Sequence, residues 1–213
     1  GDAHAEAATM TDESPAEARP RRIPAIALAV LGAIALVFAT LSSRWLANAG
    51  DNGSIEMGLR ATTECGSVGM LLGPRPDECR TKGNSDYAAE WKTETGQYYS
   101  AAFAPCGWIT SIACVLGALG LLAAAALALG NKRPQLPVSP SSLSLLALMV
   151  ALVSGCVFVA TKPGPGGFVG VGIAFWIFGI GAVLGLAGSI MLARVNRPVD
   201  PDLMADALDP DNF

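Results

Sequence analysis

The side chains with the widest chemical repertoire in this 213-residue chain are five cysteines, Cys65, Cys79, Cys106, Cys114 and Cys156, and a single histidine, His4. Cys65 and Cys79 lie in a polar block, residues 43–102, between the first two apolar runs, and Cys106 stands at the edge of the second run. In an oxidising compartment such a trio forms one disulfide and leaves one thiol. Joining Cys65 to Cys79 closes a loop of about 15 residues, worth roughly 3 kcal/mol of unfolded-chain entropy, and is the preferred pairing. Pairings of Cys106 with either partner, or no disulfide at all, stay open as alternatives. Cys114 and Cys156 sit inside apolar runs without a ligand neighbour and read as small packing residues. With its histidine in the N-terminal tail, the chain offers no Ser-His-Asp or Cys-His arrangement, no bis-His haem site, no metal-ligand spacing and no phosphate loop. Asp77 and Glu78 are the one adjacent carboxylate pair in the block, in a context typical of turn residues. The expectation is a non-enzyme with no catalytic residues, cofactor or metal.

The elements that must position the loop cysteines are four apolar stretches, residues 23–41, 107–129, 143–160 and 168–193, none of which contains Asp, Glu, Lys, Arg or His. A run of about 18 or more apolar residues crosses a hydrocarbon core of about 30 Å as a helix. The predicted fold class is therefore an all-α membrane protein, an antiparallel bundle of four transmembrane helices carrying a small disulfide-tied, β-containing extracellular loop domain. Its predicted segments are a tail 1–22, helix 23–43, outer domain 44–102, helix 103–130, inner loop 131–142, helix 143–160, short outer loop 161–167, helix 168–193 and an acidic tail 194–213. Proton relays and ion pathways place ionisable groups within the membrane, and these runs hold none. Nucleic-acid binding is excluded because no basic stripe exists in a chain of net charge −4.

Orientation follows from the juxtamembrane bases. Arg19, Arg21, Arg22, Lys132, Arg133, Arg194 and Arg197 collect on one side and Arg44 and Lys162 on the other, seven against two. Positive residues are retained in the cytoplasm, so both termini are expected there, in a plasma or bacterial inner membrane, with 43–102 outside. The first run of about 19 residues exceeds the 7–15 of a signal peptide's apolar core, so it is expected to be kept rather than cleaved after Ala47-Asn48-Ala49. Both tails are poor in large apolar residues and are expected to be disordered.

Small residues recur at four-residue spacing: Ala25, Ala29 and Ala33; Gly120, Ala124 and Ala128; Ala147, Ala151 and Gly155; and, most specifically, Gly181 and Gly185. In lipid, helices associate where small residues let backbones approach, so these predict the packing faces. Ser139-Pro140 reads as an N-cap with proline at the first helical position, and residues 163–167, Pro-Gly-Pro-Gly-Gly, break the chain before the last run. Trp45, Tyr98, Tyr99, Phe103 and Trp108 are expected at the outer headgroup layer. In the outer block, Ile55, Met57 and Leu59, and then Val68, Met70 and Leu72, alternate as two strands separated by Gly66 and ended by Gly73-Pro74. Residues 85–95 read as a helix capped by Ser85.

The order Trp45, Gly58-Leu59, Cys65, Cys79 within four spans, with a long first outer loop and a short second one, resembles the claudin-like tetraspan family. Arg60 stands where that family carries a second tryptophan, and the spacings to and between the cysteines are wider. The resemblance implies a small antiparallel sheet tied by Cys65–Cys79, with Trp45 near the membrane surface. It also implies contacts through the first outer loop, with Asp51, Glu56, Arg60 and Glu64 as candidate charges along a path. The expected partners are the lipid bilayer and other membrane proteins or a second copy of the chain. The expected function is protein interaction or membrane organisation through the outer loop. The alternative is an accessory structural subunit of a larger membrane transport or respiratory complex.

Overall fold

The computed structural model describes residues 18–50, 53–66, 78–96, 100–130, 138–163 and 169–195. The elements run α1 (Ala18–Leu41), β1 (Leu46–Gly50), β2 (Gly53–Met57), β3 (Ala61–Gly66), β4 (Cys79–Gly83), α2 (Asn84–Thr95), α3 (Phe103–Leu129), α4 (Pro140–Ala160), β5 (Gly170–Val171) and α5 (Ile173–Val195). Helices α1, α3, α4 and α5 are each long and apolar enough to cross a membrane. The 27 residues of α3 extend about 40 Å at 1.5 Å per residue, beyond the hydrocarbon thickness.

The four long helices form a bundle in which α1 packs most extensively on α5, and α3 on α4. All the small residues singled out above are buried. The α1–α5 seam is the closest. A Cβ on Gly32 would lie 2.7 Å from the Gly185 amide nitrogen, one on Gly188 would lie 2.8 Å from that of Ala29, and one on Gly181 would lie 2.8 Å from the Ala35 methyl. Backbones at this separation leave no room for a side chain, which is why Gly32, Gly181 and Gly188 stand there, whereas a Cβ on Gly185 would meet the Leu121 and Leu148 methyls of α3 and α4 at 3.1 Å. Hydroxyl pairs link the other faces. Thr110 donates to Ser154 at 2.8 Å between α3 and α4, and Ser144 and Ser189 share a 2.6 Å bond between α4 and α5. Each hydroxyl also has a helix carbonyl within reach or a second hydroxyl, so no polar atom in these pairs faces the apolar core unpaired. Ser139 caps α4 by accepting the Ser142 amide at 3.1 Å, with Pro140 in the first turn.

A five-stranded antiparallel sheet, in the order β4-β3-β2-β1-β5, covers one end of the bundle. It corrects the sequence reading at several points. Ile55 and Met57 alternate as one strand, but Leu59 belongs to the turn after it, and Gly66 ends β3, at φ 74°, instead of separating two strands. The pattern at Val68, Met70 and Leu72, Gly73-Pro74, and residues 1–17 and 196–213 of the tails lie outside the described residues, whereas 18–22 and 194–195, expected in the disordered tails, belong to α1 and α5. The last helix begins at Ile173, not Phe168, because Gly170 and Val171 are drawn into the sheet beside β1. At the other boundaries α1 starts at Ala18 and stops at Leu41, and α2 starts at Asn84 with Gly83 at its cap, so Ser85 makes no cap.

Candidate functional site

The sheet has two unlike faces, set by its register. On one, Ile55 opposes Glu64, which opposes Arg80, while Met57 opposes Thr62, which opposes Lys82. Helix α2 lies over this face and buries Tyr87 and Trp91 against it. Glu64 is only 2% exposed, a costly position for a carboxylate without partners. It is satisfied by the Tyr87 hydroxyl, which donates at 2.7 Å, and by the Arg80 guanidinium at 3.4 Å. Arg80 also reaches Glu90 at 3.3 Å, and Lys82 donates to the same carboxylate. Glu64 is thus a structural anchor beneath α2 and cannot line an exposed path.

The Lys82 hydrogen bond, followed by the nearby charges of Arg80 and Lys82, holds the Glu90 carboxyl below its ordinary value of 4.5 against an opposing desolvation. A carboxylate whose pKa is lowered by folding contributes stability above its ordinary pKa, and loses it as pH falls through the folded value. The melting temperature of the purified protein is therefore expected to fall between about pH 5 and pH 3, and Glu90→Gln to flatten that slope. An equal slope in Glu90→Gln would assign the acid sensitivity elsewhere.

The opposite face of the sheet is open. Ala47, Glu56, Thr63 and Thr81 form one row across β1 to β4, and Ala49, Ser54, Cys65 and Cys79 the next. Cys65 and Cys79 are directly opposed, with Cα atoms 4.1 Å apart, and form the disulfide. Cys106, at the start of α3, is a free thiol. Thr63 and Thr81 share a hydroxyl bond at 2.9 Å. Glu56 is held at the rim by Ser43, at 2.6 Å, and Arg44, at 2.7 Å. The Ser43 bond is the largest cause holding its carboxyl below the ordinary value, against desolvation and with help from Arg44. Arg60 and Glu78 are exposed at the margins of the sheet, and Asp51 and Asp77 lie outside the described residues.

Three of the residues that carry the sequence resemblance, Trp45, Gly58 and Leu59, help seat the sheet on the helices, while Cys65 and Cys79 lie on its open face. Trp45 is fully buried inside the protein, so its ring is not exposed on the outer surface. Its indole packs against Phe178, Phe158 and Phe175, with ring centroids 5.0, 6.0 and 6.1 Å away. Its Nε1 donates at 2.6 Å to the Ala39 carbonyl, one of those a helix leaves unpaired in its last turn. Phe103 is likewise buried and stacks on Phe158 at 4.5 Å. Of the aromatic residues expected at the surface, Trp108 is exposed, and Tyr98 and Tyr99 are outside the described residues.

The backbone of this junction is satisfied from both sides. The Trp45 amide donates to Met57, the Gly172 amide donates to the Trp45 carbonyl, and the Arg44 carbonyl accepts the Ala174 amide in the first turn of α5. Gly58 and Leu59 form the turn into β3, and Leu59 is buried. Asn84 locks that turn. Its Nδ2 donates to the Gly58 and Leu59 carbonyls, both at 3.0 Å, and its Oδ1 accepts from Thr62 at 2.9 Å. Asn84→Ala leaves two buried carbonyls and a hydroxyl without partners and is expected to cost about 2–4 kcal/mol. Denaturant titration in mild detergent measures this, and a midpoint equal to that of the parent would show that the turn holds without the latch.

Sequence reasoning missed Asn84, Gly107, Gly172 and the phenylalanine cluster. The close spacing of Phe175 and Phe178 within the last charge-free run was the available signal. Among the described residues, no three His, Cys, Asp or Glu side chains gather where a metal could be held. Two apolar grooves of 280 and 360 Å3 run along the helices, one lined by Ile109, Leu116, Leu146 and Val150, the other by Ile34, Val37, Phe38 and Leu122. Neither presents a polar group to a reactant. No protein-family model matches the chain, and no curated protein matches it.

Proposed function

We propose that this protein is a claudin-like, non-enzymatic membrane protein whose outer sheet engages a protein partner or a second copy and so organises its neighbours in the membrane. The carrying observation is the rigid seating of the sheet. Trp45, the Gly58-Leu59 turn and β5 tie the sheet to the ends of α1, α3 and α5, while one polar face stays uncovered. Residues that resemble the claudin-like motif carry this seat, which supports the family reading. A bundle whose cores are closed by alanine, glycine and paired hydroxyls supports a scaffold more than a conduit. The positive-inside bias supports cytoplasmic termini and an extracellular sheet.

Thr63 and Thr81 stand on the open face, so Thr63→Lys with Thr81→Lys changes recognition while the buried face stays as it is. Gentle detergent extraction followed by native sizing is expected to give an assembly of defined stoichiometry from the parent chain, and a lone chain from the double variant. An assembly that survives the double variant with unchanged size would place the contacts on the helices, and would favour the accessory-subunit reading instead.

A further inference from the structure

The α1–α5 seam carries a register that can be followed to its far end, away from the sheet. Gly185 meets Gly32 and Gly188 meets Ala29, and the fully buried Ala25 and Leu192 continue the same antiparallel alignment. One further turn sets Arg22 of α1 level with Val195, beside Arg194 in the last turn of α5. Val195 still packs against the buried core. Arg22 is half-buried and Arg194 exposed. Arg19 and Arg21 occupy the turn of α1 just beyond, and neither helix contains an Asp or Glu. Among the described residues, no carboxylate pairs with Arg22 or Arg194.

This register places Arg22 and Arg194 at the same level of two adjacent helices, where their positive charges repel unless an anion lies near both. Guanidinium forks match phosphate oxygens through paired, charge-assisted hydrogen bonds. Ile23, next to Arg22, is 73% exposed and apolar. The pair therefore sits at a boundary between an apolar belt and water. We propose that the far end of the α1–α5 seam is a binding site for the phosphate of an anionic phospholipid, held between Arg22 and Arg194 with its acyl chains along the apolar outer face of α1. The proposal rests on the membrane placement argued above.

The full chain, purified in mild detergent, is titrated with dioctanoyl phosphatidylglycerol, dioctanoyl phosphatidylcholine or inorganic phosphate, and the bound species are read by native mass spectrometry. Saturable binding of phosphatidylglycerol is expected, weakening about thirtyfold in the R22Q/R194Q double variant and much less in R22K/R194K. Arg60→Gln, at the sheet end, is expected to bind like the parent. Equal binding of the two lipids, or unchanged binding in R22Q/R194Q, overturns the proposal. Displacement of the lipid by an equal concentration of inorganic phosphate overturns it too, by showing a site for the free anion. Flotation with pure phosphatidylcholine vesicles tests membrane placement separately. A chain that floats but does not select phosphatidylglycerol defeats this proposal alone, whereas one that does not float defeats the membrane reading.

Discussion

Gly107→Ala is expected to unseat the sheet from the bundle. Gly107 lies in the first turns of α3, and a Cβ there would fall 2.0 Å from the Leu59 carbonyl oxygen. That oxygen cannot step aside cheaply. It belongs to the backbone, accepts the Asn84 amide, and sits in a turn closed by the Gly58–Ala61 hydrogen bond. Overpacking of this kind costs about 1–3 kcal/mol and more where backbone must move, so the expected loss is about 3 kcal/mol or above. Gly117 in the same helix provides the contrast. Its Cβ would meet a Leu148 methyl at 3.4 Å, a contact that a side chain can absorb. Gly117→Ala is therefore expected to be neutral or slightly stabilising, since alanine is the better helix former by about 1 kcal/mol. Thermal denaturation of both variants in one detergent decides the matter, and equal melting temperatures would remove Gly107 from the seat.

Trp45→Ala is expected to cost as much or more. Deleting a fully buried indole leaves a cavity among Phe158, Phe175 and Phe178 and typically costs about 3–5 kcal/mol. It also leaves the Ala39 carbonyl without its donor at the end of α1. Trp45→Phe gives an intermediate case, because it keeps an aromatic ring while removing the donor and part of the indole's volume. The loss there is expected to be about 1–2 kcal/mol. Both values are readable from denaturant midpoints and from protease sensitivity of residues 43–102. A Trp45→Ala protein that melts with the parent would show that β5 alone holds the sheet in place.

The parts of the fold legible in the sequence are those whose cause is local. Four long helices follow from charge-free runs, since backbone groups in such segments pair within the segment itself. The start of α4 follows from Ser139 and Pro140, which act within one turn. The Cys65–Cys79 bond follows from the short loop between its partners, in preference to pairings with Cys106.

The rest depends on contacts distant in sequence. Strand β5 is two residues long and has no pattern to announce it; it exists because Leu46 and Ala47 offer it a partner. Strand β4, Cys79–Gly83, carries Arg80, Thr81 and Lys82 and reads as loop until β3 pairs with it. Glu64 reads as a surface charge, and only Tyr87 arriving from α2 makes its burial tolerable. Trp45 reads as an interfacial anchor, and three phenylalanines from α4 and α5 convert it into the plug between sheet and bundle. Hydrophobic length and helix capping are properties of contiguous residues, so the sequence alone determines the four long helices. Strand pairing and the burial of a carboxylate or an indole need partners from elsewhere in the chain, so the tertiary structure alone decides which face of the sheet is closed and which remains open.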